Sequence, residues 1–386
     1  MTTVTEEQLL EAVKALRITL MTFDEDAANN SRELLSRIKD DHPMWKKGLD
    51  EDGVSKALQK MKDAEIPEYV APEELYPVDL LWSGAAITVT EMEHFDTLNV
   101  VGIHHAQGGL GSKGSYIIAC KMKDGSRPGL MVLKEANPGF PAEVFASNVL
   151  QRMGLAAPRF RPLSLAEFHR FTWKLRSVPV TIKGTCSAIH QSRAQETGGV
   201  LMEFLEGEQL PECDPAAFLN DKVLKDLGRC MAVDIVLNCL DRTPIVWDNK
   251  GNATNILVTD AGLNIIDNTY NRIGNKDLAK KHVNKVHACA LEAKSGKIGS
   301  HAGVVRDFLS RSTASRVILN DDQLKLVFSS LHEACEEISK NYKELFDSAA
   351  KETRDAFEKT KSSTRALLDD SLQLDFCIEC AKAMAV

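Results

Sequence analysis

Three short stretches decide the fold: Leu237-Asn-Cys-Leu-Asp-Arg242, Gly251-Asn-Ala-Thr-Asn-Ile-Leu-Val258 and Leu263-Asn-Ile-Ile-Asp-Asn268. The last two each hold a short apolar run, and Asp260-Ala-Gly262 between them is a hairpin turn. Asn255 stands just before the first run and Asp267 just after the second, so the hairpin brings both to one point. Taken singly, Asp and Asn here are ordinary turn and cap residues. Taken together they are the parts that phosphoryl transfer needs. Asp241 is a carboxylate that can orient an acceptor hydroxyl as catalytic base. Asn255 and Asp267 are oxygen ligands for Mg²⁺ against the β- and γ-phosphates of ATP.

Upstream, the required companions occur in order. Gln107-Gly-Gly-Leu-Gly-Ser-Lys-Gly-Ser-Tyr116 places Gly109, Gly111 and Gly114 in the G-x-G-x-x-G pattern, with Ser112 inside it. Glycine lets backbone N–H groups approach phosphate oxygens. The loop is followed by Tyr116-Ile-Ile-Ala and the turn Asp124-Gly125, which read as strand rather than helix. That disfavours a dinucleotide fold. A Walker A loop needs Lys directly after its second glycine, and Ser115 stands there. Strand, glycine loop, strand is the nucleotide lid of protein kinases. Leu130-Met-Val-Leu-Lys134 is a third strand ending in the candidate phosphate anchor, Lys134. Glu143, in the first turn of the helix predicted over 141–153, is its natural partner. Glu135 competes, but alternation on a strand sends it to the opposite face. Val200-Leu-Met-Glu-Phe-Leu205 reads as the strand that ends in a kinase hinge. There Met202 would be the gatekeeper, and the Glu203 carbonyl and Leu205 N–H would meet the adenine edge.

The 386 residues correspond to roughly two or three structural units. Lys plus Arg number 47 against 55 Asp plus Glu, a net charge of −8 that argues against general nucleic-acid or anionic-membrane binding. Nine cysteines without regular spacing exclude a disulfide scaffold and suit a reducing, cytoplasmic setting. Cys377 and Cys380 are a lone close pair, read as helix-face thiols rather than half of a zinc site. The first residues lack the basic and apolar regions of a signal peptide, and no apolar window is long enough to span a membrane. Residues 1–72 read as a helical extension ending in a Pro-bearing linker, 73–205 as a β-rich lobe and 206–386 as a helical lobe. Residues 163–197 look like an insertion. The expected fold class is therefore α+β, bilobal and kinase-like, with a cleft between the lobes.

From about Tyr76 through the helices after Asp267, the chain resembles the catalytic domain of the actin-fragmin kinase family. The likeness lies in the glycine loop, in Val-Leu-Lys-Glu-Ala, in Leu-Met-Glu-Phe-Leu-Glu-Gly, and above all in Asp241-Arg-Thr-Pro-Ile-Val-Trp-Asp-Asn-Lys-Gly-Asn-Ala-Thr-Asn-Ile-Leu257. The resemblance implies an atypical Ser/Thr protein kinase that uses ATP and Mg²⁺ and phosphorylates threonine on actin. It also implies Asp241 as base, Asn255 and Asp267 as metal ligands and Lys134 as phosphate anchor. Asp267 is followed here by Asn-Thr, where typical kinases have Phe-Gly. The short segment after it offers no phosphosite paired with an arginine cluster, so activity is expected without phosphorylation there. Two other readings compete: a nucleotide-binding pseudokinase or scaffold, and a phosphoinositide-type lipid kinase. The lipid kinases carry Asp-Arg-His, which this chain lacks.

Overall fold

A computed structural model describes residues 85–92, 99–105, 115–121, 129–135, 139–168, 171, 198–313, 317–362, 365 and 367–386. The helical extension expected over 1–72 and the glycine loop lie outside these residues, as does most of the stretch read as an insertion.

The first sheet is built from β1 (Ala85–Ala86), β2 (Asn99–His105), β3 (Ser115–Lys121), β4 (Gly129–Glu135), β5 (Phe160–Pro162) and β6 (Gly199–Glu203). Its order is β2-β3-β4-β6-β5, with the pairs along this path antiparallel, and β1 joins β4 in parallel. Between β1 and β2 lies the short helix α1 (Val89–Met92). Strand alternation divides the side chains between two cores. Tyr116, Ile118, Cys120, Met131, Leu133 and Leu201 pack on one face with Phe168 and Phe171. Ile117, Ala119, Leu130, Val132, Val200 and Met202 join the larger core on the other. Lys134 continues the Leu130, Val132 series, and this parity points it toward α2 (Phe140–Arg152) rather than away from it. Strand β6 stops at Glu203, two residues earlier than the sequence suggests, because Phe204 and Leu205 already belong to the crossing to the next sheet.

That second sheet is small. It contains β7 (Glu208–Gln209), β8 (Ile256–Thr259) and β9 (Gly262–Ile265), in that order and antiparallel. The β8–β9 hairpin was expected; β7 is too short for a periodic signal. Helix α3 (Pro215–Phe218) leads into α4 (Asp221–Leu237), which is capped by Asn220 and ends at Asn238 in the left-handed conformation, φ +53°. Asn suits that position better than most residues. Helix α4 buries 13 of its 17 residues, so it forms the spine of the helical part. Helices α5 (Lys276–Ser295), α6 (Ser300–Ser312), α7 (Asp321–Thr360), α8 (Leu368–Ser371) and α9 (Asp375–Ala383) complete the chain. Cys377 and Cys380 are buried in α9, as a helix-face pair would be. Among the described residues no helix is long and apolar enough to cross a membrane.

Helix α7 runs for 40 residues, opened by a capping box between Asn320 and Gln323. Its first half packs on α4 and its second half on α2. The α4–α7 contact is close because Gly228 carries no side chain: a Cβ there would lie 2.1 Å from the Val327 carbonyl oxygen. Nothing in that contact is a flexible side-chain tip. Gly228→Ala should therefore destabilise the protein by about 2 kcal/mol despite alanine's better helix propensity. Thermal unfolding checks this, and an unchanged or raised Tm would refute the tight crossing.

Candidate active site

Strand β4, helix α2 and the turn after β9 meet at one amine. Lys134 Nζ lies 2.5 Å from Glu143 Oε1 and 2.7 Å from Asp267 Oδ1. The two carboxylates come from positions 9 and 133 residues away in sequence. Burial opposes charge on the Lys134 amine, but Glu143 and Asp267 together outweigh it and hold its pKa well above the ordinary lysine range. Burial is also the main influence on Glu143 and pushes its carboxyl up, partly offset by Lys134. Burial acts the same way on Asp267, yet there Lys134 wins and the carboxyl sits below its usual value. Asp267 is thus the firmly ionised member, and it is also the one turned to solvent, its side chain 49% exposed against 13% for Glu143.

Asp267 adopts φ +55°, a left-handed conformation that aspartate tolerates. Its neighbours fix the turn. Arg242 donates through Nη2 to the Ile266 carbonyl (3.0 Å) and to Asn268 Oδ1. Asn268 Nδ2 in turn donates to Ser147 Oγ of α2 (2.7 Å). Through Nη1 the same guanidinium pairs with Asp234 of α4. Both charged groups are 1% exposed. Thr243 Oγ1 adds a hydrogen bond to Asp234 at 3.1 Å. Burial lifts the Asp234 carboxyl to about 6, with Arg242 pulling the other way.

Asp241 is the exposed neighbour of this buried arginine. Its Oδ2 accepts from Asn255 Nδ2 at 3.2 Å and from Asn252 Nδ2 at 3.4 Å. Asn255 ends a 3-10 turn, Ala253–Asn255, that Asn252 caps through Thr254 N. The Ile266 N–H donates to the Asn255 carbonyl at 3.1 Å, so the residue preceding Asp267 touches Asn255 directly. The long loop between Asp241 and Asn255 leaves Arg242 and returns to it, closed by Asn252 N to Arg242 O at 3.1 Å. Gly251 makes that closure possible. It has φ +68°, and a Cβ there would meet the Phe308 ring at 2.7 Å.

Lys134, Glu143 and Asp267 therefore form one cluster, Asp241 and Asn255 another, and a backbone hydrogen bond links the two. Met202 is buried in β6 and Leu205 follows the strand end. Glu203 is anchored beside Arg159, donating N–H to its carbonyl (3.0 Å) and accepting its N–H on the carboxylate (3.1 Å). Gly109, Gly111, Ser112 and Gly114 lie outside the described residues. Among the described residues no group of three or more His, Cys, Asp or Glu could hold a metal by itself. One ionised carboxylate and one amide oxygen suit a hard cation such as Mg²⁺ that takes its other ligands from phosphate and water. Sequence reasoning missed the roles of Arg242, Asp234, Asn268, Ser147 and Asn252. One signal was present: a lone Asp in the apolar run Met231-Ala-Val-Asp-Ile-Val-Leu237, which demands a buried partner.

Removing that partner should be costly. Arg242→Met leaves Asp234 buried without its cation and should lower stability by about 3–5 kcal/mol. The double variant Asp234→Asn with Arg242→Met should lose less, because no bare charge remains. Denaturant unfolding of both variants checks this, and a double variant no better than the single would overturn it. No curated protein matches the sequence. A family model described as "Actin-fragmin kinase, catalytic" matches residues 83–310, more than half of the 386. The match spans every residue of the site just described, and the chain belongs to the actin-fragmin kinase catalytic family of atypical kinases.

Proposed function

We propose that this chain is an ATP-dependent phosphotransferase with a bilobal kinase arrangement, acting on a serine or threonine hydroxyl of a protein. The observation that carries the reading is Lys134 held between Glu143 and Asp267 at 2.5 and 2.7 Å. Phosphoryl transfer is mostly positioning and charge neutralisation, and such a lysine supplies both. In this reading the glycine loop with Gly109, Gly111, Ser112 and Gly114 covers the phosphates. The Glu203 carbonyl and Leu205 N–H receive the adenine edge beside Met202. Asn255 and Asp267 would hold Mg²⁺, which when bound would supply charge neutralisation for the transferring phosphoryl group. Asp241 accepts the proton of the acceptor hydroxyl as its oxygen bonds to the γ-phosphorus. The bond from that phosphorus to the β,γ-bridging oxygen breaks, and ADP leaves with the electron pair. Asn252 and Asn255 hold the Asp241 carboxylate in place for this step. Actin threonine is the first acceptor to examine, on the strength of the family.

Asp241→Ala should cut phosphotransfer by about 10²–10⁴-fold while leaving ATP binding intact. Asp267→Ala should remove the Mg²⁺ dependence of ATP binding together with the activity. Radiolabel transfer to monomeric actin and to a threonine peptide, alongside ATP titration, reads both. A wild type that binds ATP and turns over nothing would make the chain a nucleotide-dependent scaffold instead.

The segment after Asp267 carries a second expectation. Tyr270 is buried and its hydroxyl donates to the Gln373 carbonyl, so no modifying enzyme reaches it in the folded chain. Protein without phosphate on Thr269 or Tyr270 should be fully active. Mass spectrometry of active and phosphatase-treated samples checks this; activity that tracks phosphate at either residue would refute it.

A further inference from the structure

The chain carries −8 overall, yet residues 272–285 hold five cations, Arg272, Lys276, Lys280, Lys281 and Lys285, against one carboxylate, Asp277. All six side chains are exposed. Among the described residues no ion pair engages any of the four lysines. His282, between them, is buried and stays neutral near pH 7, because burial pulls its imidazole down. The stretch itself is therefore strongly positive, and the exposed acids nearest it on neighbouring elements are Asp248, beside Trp247, and Asp375, beside the Phe376 that packs on His282.

This basic stretch lies against the loop that carries Asp241. Asn271 N donates to the Leu237 carbonyl (3.1 Å), and Asn271 and Asn238 exchange side-chain hydrogen bonds to each other's carbonyls at 3.1 and 2.8 Å. Trp247, in the loop between Asp241 and Asn255, donates Nε1–H to Asn238 Oδ1 (2.9 Å) and stacks on His282 of α5 with ring centroids 5.8 Å apart. One turn before His282, Leu278 is 54% exposed, and Leu240, adjoining Asp241, is 41% exposed. Only four large hydrophobic side chains are exposed among the described residues, and these are two of them. Exposed apolar side chains among unpaired cations make a surface suited to an acidic partner.

We propose that the N-terminal half of α5, with Leu278 amid Lys276, Lys280, Lys281 and Lys285, is the docking surface for an acidic protein substrate whose hydroxyl it brings to Asp241. The proposal rests on the phosphotransfer reading of that aspartate. The lysines steer and hold, while Leu240 and Leu278 take an apolar side chain of the substrate near the acceptor. Salt should weaken the interaction, because these charges face solvent.

The test uses two synthetic peptides, each with one threonine, flanked in one by glutamates and in the other by lysines. Wild type should phosphorylate the glutamate peptide with the lower KM, and that KM should rise with added NaCl. The triple variant Lys280→Glu, Lys281→Glu, Lys285→Glu should raise that KM by about tenfold with little change in kcat, and should reverse the preference between peptides. Lys340→Glu with Lys343→Glu and Lys351→Glu, on the exposed face of α7, is the charge-matched control and should behave as wild type. Equal use of the two peptides by wild type, or the same KM shift in the control as in the triple variant, overturns the docking surface. If neither peptide is phosphorylated, fluorescence anisotropy with the labelled glutamate peptide separates the two claims. Binding lost in the triple variant would keep the surface and reject phosphotransfer, and no binding by wild type would reject the surface itself.

Discussion

A guanidinium without water needs acceptors on every side, and the packing around Arg242 is arranged to provide them. Asp234 comes from the spine helix, the Ile266 carbonyl and Asn268 from the turn after β9, and Asn268 reaches on to Ser147 of α2. Only Nε lacks an acceptor among the described residues. Its direct partners come from the spine helix and from the turn after β9, and Asn268 carries the network on to α2, so satisfying one buried cation fixes those elements relative to one another. The candidate base, Asp241, is the preceding residue and inherits that position. Asp267, flanked by two residues that Arg242 grips, inherits its left-handed backbone. A lysine at 242 could not make this fork, because one ammonium cannot reach Asp234 and Asn268 in the same planar geometry.

Two sets of hydrogen bonds therefore share one scaffold but do different things. The Arg242 set is buried and neutral overall, and its contribution is geometry rather than net stability. The Lys134 set opens to solvent at Asp267 and places two carboxyl groups, Glu143 and Asp267, around a single amine. In the proposed reading a divalent cation would be held by Asp267 and the phosphates by Lys134, which is why two carboxyl groups beside one amine suit the site.

Much of the site was legible in the sequence because each of its residues adjoins an element with a clear period. Lys134 ends a run of apolar strand residues, Glu143 opens a helix, and Asn255 and Asp267 bracket a hairpin whose turn residues mark themselves. The parity of β4 was enough to aim Lys134 at α2. The Arg242 network was not legible, for a physical reason. Its partners lie 8, 24 and 26 residues away, with no shared period, and polar burial leaves no pattern beyond an out-of-place charge. Strand β7 was missed because two residues cannot show alternation. The 40-residue length of α7 also had no sequence signal of its own, because it runs far beyond ordinary helix lengths.

Helix α2 is bolted at its far side as well. Asn148 Nδ2 donates to Thr353 Oγ1 of α7 at 3.0 Å, both side chains buried, and Phe145 packs on Phe346 of the same helix. In many two-state enzymes of this chemistry, swinging the glutamate-bearing helix outward is the off state. Here that swing would strand a buried amide and open a void against an aromatic ring, so the contact with α7 opposes it. The second half of α7 thus acts as a brace behind the helix that presents Glu143 to Lys134.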